Sequence, residues 1–103
     1  MAMYEFGFLG WCKDKSHDKV WGWIVLGDAR TSYNFWGRRG ATLTWKRYDA
    51  AGAPLDRLKR EKVAKGYREV PLDAIEQQTP GFTDEFERNF TMARLMNKFH
   101  GEV

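Results

Sequence analysis

The chain has 103 residues, of which 43% are hydrophobic and 16% aromatic, and a formal net charge of +3. That length suits one domain with its own core, and the even spread of apolar residues excludes wholesale disorder. Cys12 is the only cysteine, which excludes an intrachain disulfide and a cysteine-built zinc framework. Residues 1–6 lack the basic start and apolar block of a secretion signal, and no apolar run reaches membrane-spanning length, so a soluble, cytoplasmic protein is expected.

Residues 3–13, rich in aromatics and glycine, predict a first strand with Gly7 or Gly10 as candidate bends. A charged connection follows. Residues 19–27 then alternate Trp21, Trp23 and Val25 with Val20, Ile24 and Leu26, and two apolar faces mean a central strand. After a polar loop comes Tyr33-Asn34-Phe35-Trp36-Gly37-Arg38-Arg39-Gly40. Strand alternation puts Asn34, Trp36 and Arg38 on one face and Tyr33, Phe35 and Gly37 on the other.

Residues 41–48 predict the hairpin partner of that strand. A two-residue turn at 39–40 would set Trp36 opposite Leu43 and mix polar with apolar on both faces. A three-residue loop, 39–41, sets Phe35 opposite Trp45, Gly37 opposite Leu43, Trp36 opposite Thr44, Arg38 opposite Thr42 and Asn34 opposite Lys46. Hydrophobic matching favours the second register, and Gly40 supplies the positive φ that such a loop needs.

A turn at 48–53 leads into a helix that Pro54 opens and Gly66 stops. Its apolar stripe is thin (Leu55, Leu58, Val63), and Arg57, Lys59, Arg60, Lys62 and Lys65 give it a positive surface. Residues 67–70 predict a short closing strand, and 72–75 a helical turn. Thr79-Pro80-Gly81 breaks the chain before a last helix, N-capped by Thr83 and running to about Phe99. Its apolar residues occupy two adjoining sectors, Phe86, Phe90 and Ala93 in one and Met92, Leu95, Met96 and Phe99 in the other. So wide an arc either sits deep in the fold or meets a partner, another protein or a second copy, through residues 84–99. The expected architecture is α+β: an antiparallel sheet of about four strands packed against a basic helix, with an additional C-terminal helix, residues 71–103 extending a domain at 1–70.

Catalysis has little to stand on, because neither His17 nor His100 has a nucleophile and an orienting carboxylate at suggestive spacing. No phosphate loop and no metal-ligand spacing occurs, and no cofactor is expected. Charge is uneven: residues 1–70 hold 14 Lys/Arg against 8 Asp/Glu, and residues 71–103 hold 3 against 6. The basic part contains Trp36 and Arg38, an indole with a flat face for a base or sugar and a guanidinium that pairs with phosphate. Lys46 falls on the same face, Arg39 in the turn, and Lys59 and Lys62 on the basic helix. The competing reading buries Trp36 in the core, but Tyr33, Phe35 and Trp45 already fill the opposite face.

In order, Lys19-Val20-Trp21-Gly22-Trp23-Ile24-Val25-Leu26, the run from Tyr33 to Gly40, Lys46, the basic helix and Lys65-Gly66-Tyr67 resemble a WGR domain over roughly residues 18–70. The resemblance implies an antiparallel sheet packed on a helix. In DNA-dependent poly(ADP-ribose) polymerases such a domain touches DNA at strand breaks and relays the contact to a catalytic domain. By position, Trp36 is similar to the residue that packs on a terminal nucleotide, and Arg38 to its partner for backbone or neighbouring-domain contacts. The segment from Gly40 to Lys46 is shorter than in the polymerases, and residues 71–103 lie outside the match, so the chain resembles the stand-alone WGR-like proteins of bacteria. A non-enzymatic module that binds DNA, at ends or nicks, is the expectation that follows; a protein-interaction module or homodimer acting through the C-terminal helix is the alternative.

Overall fold

In the computed structural model the described residues are 4–14, 16–28, 30–49 and 53–101, with the side chains of 53, 54 and 96–101 outside the described set. The expected strand start at Met3 and positions 50–52 of the turn therefore lie outside it, as do the side chains of Met96, Phe99 and His100. The elements are β1 (Tyr4–Lys13), β2 (Asp18–Leu26), β3 (Ser32–Arg38), β4 (Thr44–Tyr48), α1 (Ala53–Ala64), β5 (Arg68–Glu69), α2 (Leu72–Gln78) and α3 (Phe82–Gly101). Five strands, where about four are expected, form one antiparallel sheet in the order β4-β3-β2-β1-β5. The fifth is the two-residue closing strand, paired with β1 at Gly10 and Trp11. No helix among the described residues is long and apolar enough to cross a membrane.

The β3–β4 register is the one that hydrophobic matching selects: Phe35 faces Trp45, Trp36 faces Thr44 and Asn34 faces Lys46. Gly40 sits at φ 90° in the connecting turn, closed by the Ala41 N–H donating to the Arg38 carbonyl at 3.1 Å. In β1 one extra residue, Gly7, falls between the pairs Phe6–Ile24 and Phe8–Trp23, a β-bulge. Phe6 and Phe8 consequently point to opposite faces although they are two residues apart. Phe6 lies 5.4 Å from the Phe86 ring and Phe8 6.0 Å from the Trp23 ring, centroid to centroid. A Cβ at Gly7 would fall 1.9 Å from Trp23 Nε1, so the bulge must be glycine for the indole to lie there.

Both faces of the sheet are covered. On one, Leu9, Val20, Ile24, Tyr33 and Phe35 pack with Ile75 of α2 and with Phe82, Phe86 and Phe90 of α3. On the other, Phe8, Trp21 and Trp23 pack with Leu55 of α1. The thin stripe of α1 thus suffices because three large aromatics rise to meet it. α1 ends in a Schellman turn: Gly66 adopts φ 107° and the Tyr67 N–H donates to the Lys62 carbonyl at 3.1 Å.

The start of α3 departs from expectation. The helix begins at Phe82, and Thr83 is inside it rather than its cap. Glu76 of α2 takes the capping role, accepting from the Gly81 N–H at 2.7 Å and the Thr83 N–H at 2.8 Å. These donors hold its carboxyl below the usual range. Phe86 and Phe90, expected at a partner interface, are corrected to core residues, because their rings fill the space over Tyr4, Phe35 and Trp45.

Candidate nucleic-acid interface

β3 supplies both a core residue and a surface residue at adjacent positions. Phe35 is fully buried, whereas Trp36 is 36% exposed. Cross-strand pairing explains the difference. Trp36 stands opposite Trp21, which lies buried in the layer under α1, so Trp36 marks the rim where the cover of α1 ends.

Directly paired residues project to the same side of a sheet. Lys19 pairs with Arg38, Thr44 with Trp36 and Lys46 with Asn34. Lys19, Arg38, Thr44 and Lys46 are all exposed, so three cations and a hydroxyl share the indole's side of the sheet at neighbouring register positions. Asn34, on the same side, is buried and donates from Nδ2 to the Gly22 carbonyl at 2.8 Å, fixing the strand beneath the indole. Lys46 Nζ lies 5.0 Å from the Tyr48 ring, which orients its stem along β4. Lys19 is the residue that sequence reasoning missed. Its signal is the two-residue step from Trp21, which needs the β2–β3 register to become a position beside Arg38.

Arg39 does not join this surface, which corrects its expected role. It reaches the opposite side of the sheet, donating from Nε and Nη2 to Asp18 at 2.9 and 2.5 Å, and from Nη1 to the Thr79 hydroxyl. Its guanidinium also lies 5.0 Å from the Trp11 ring, and Trp11 Nε1 donates to Asp18 at 2.7 Å. Only 14% of its side chain is exposed. Arg39 is thus a tie between the β3–β4 turn, β2 and the end of α2. Its hydrogen bonds hold the Asp18 carboxyl below the usual range, and those same bonds raise Arg39.

The helix lysines are also occupied. Lys59 Nζ lies 5.0 Å from the buried Phe8 ring and Lys62 Nζ 5.8 Å from the Tyr67 ring, and both side chains are half-buried. They lie on the α1 side of the sheet, the side of Trp36, with their ammonium groups held over aromatic rings. Next to Arg38 a cavity of about 400 Å³ is lined by Lys13, Asp14, Ser16, His17, Asp18, Arg38 and Arg39. Asp14 is spent within this loop, accepting from the Ser16 and His17 N–H groups at 3.0 and 2.9 Å, which lower its pKa.

The described residues contain no group of three His, Cys, Asp or Glu side chains placed to hold a metal ion. No protein-family model matches this chain, and neither a curated protein nor a solved structure matches it, so the site stands on its own geometry.

Proposed function

We propose that the chain is a non-enzymatic module that binds DNA, at ends or nicks, through Trp36 with Arg38, Lys46 and Lys19. The observation that carries this reading is the part-exposed indole on the same side of the sheet as exposed cations: Trp36 supplies a stacking plane, Arg38 a bidentate phosphate partner, and Lys19 and Lys46 charge on the flanking strands. The resemblance of residues 18–70 to a WGR domain supports it. Lys59 and Lys62 add field from the edge of α1 rather than direct contacts.

Fluorescence anisotropy with nicked, blunt and single-stranded oligonucleotides at two salt concentrations tests the proposal. Binding is expected to weaken steeply with salt as condensed counterions are released. Trp36→Ala is expected to lose about 1–3 kcal/mol of binding. Salt-insensitive binding would sink the electrostatic part, and unchanged affinity of Trp36→Ala would sink the stacking part.

A further inference from the structure

The outward side of α3 carries Met92 and Leu95, the two most exposed large apolar side chains among the described residues. Its first half docks through Phe82, Phe86 and Phe90, and among the described residues no α3 side chain beyond Phe90 is buried. Residues 91–101 continue the helix by roughly 16 Å. Asp84, Arg88, Met92 and Leu95, spaced by four, four and three residues, form one exposed line, and Met92 and Leu95 are 60% and 59% exposed. Beside them Asp84, Glu87, Arg88, Thr91 and Met92 enclose a shallow concavity of about 490 Å³.

Charge along the helix is divided. Residues 82–91 contain Asp84, Glu85, Glu87 and Arg88, whereas residues 92–101 contain Arg94 and Lys98. Acid first and base last suits the helix dipole. The dipole does not account for two large apolar side chains in water.

We infer that this line is the contact surface for a second copy of the chain, with the two α3 helices antiparallel about a two-fold axis near Thr91. That arrangement sets the acidic half of each helix against the basic half of the other and lays Leu95 over the concavity beside Arg88. A parallel pair would oppose like charges, and a partner of uniform charge would match only half of the line. A second copy is the occupant that matches all of it. A single helix pair lies at the small end of stable interfaces, so a dissociation constant on the order of 10 µM is expected. This surface is separate from the Trp36 face, and its test uses no nucleic acid.

Sedimentation equilibrium of the full chain between about 1 and 200 µM is expected to show a monomer–dimer equilibrium. Leu95→Glu is expected to weaken it at least roughly tenfold while the near-ultraviolet circular dichroism of the tryptophans stays unchanged. Glu87→Lys is expected to weaken it too, and adding Arg94→Glu to restore it. A wild-type monomer at about 200 µM overturns the proposal. So does a Leu95→Glu chain that associates as tightly as the wild type, and a double charge exchange without recovery overturns the antiparallel arrangement.

Discussion

The two faces of the sheet are built from the same strands and covered to different extents. On the α2/α3 face, Tyr33, Phe35, Trp45, Phe86 and Phe90 form a continuous aromatic contact set with ring centroids 4.9–6.5 Å apart. On the α1 face, Trp21 is covered, whereas its cross-strand neighbour Trp36 is 36% exposed beside exposed basic residues. Burial depends on what lies above a residue, so adjacent positions of one strand, Phe35 and Trp36, can do opposite work.

That contrast can be broken by substitution. Phe86→Ala should cost about 3–5 kcal/mol of unfolding free energy, read from urea denaturation, because a buried ring leaves a cavity among five others, those of Tyr4, Phe6, Phe35, Trp45 and Phe82. Trp36→Ala should cost less, about 1–2 kcal/mol in the same assay, because over a third of the residue is already exposed. Comparable losses would mean that Trp36 is core in solution.

Arg39→Ala sharpens the division from the other side, since it should lower stability by about 1–2 kcal/mol and leave the proposed oligonucleotide binding unchanged. Asp18, held low chiefly by its hydrogen bonds from Arg39, gives the sign of the pH effect. Its folded pKa lies below the unfolded one, so the stabilisation is present above about pH 4 and is lost as pH falls through the folded value. Urea midpoints of wild type and Arg39→Ala should therefore differ at neutral pH and converge at acid pH. Gly40→Ala should cost about 1 kcal/mol, measured in the same way. A Cβ there meets nothing within 4 Å, so the cost is that of a positive φ alone.

Much of the β3–β4 hairpin was legible because two local signals agreed: Phe35 and Trp45 needed to meet, and Gly40 permitted the loop that lets them. The two sectors of α3 were legible as well, but periodicity alone does not say which sector meets the sheet. The packing of Phe86 and Phe90 over Tyr4, Phe35 and Trp45 decides that. Arg39 was misplaced for a related reason. A turn residue has no periodicity, and its direction is set by Asp18, 21 positions earlier, and Thr79, 40 positions later. Phe8 was unreadable by alternation because a single inserted glycine inverts every face after it.

That glycine also bears on strand addition at the edge of the sheet. β5 covers β1 only at Gly10 and Trp11, so among the described residues the Tyr4–Gly7 end of β1 has a strand on one side alone. An open edge of that sort is a template for strand addition and aggregation. The bulge at Gly7 interrupts the ladder there, and an incoming strand in regular register would lose its hydrogen bonds at that point. The residue that sends Phe8 to the α1 layer thereby also blunts the edge of the sheet.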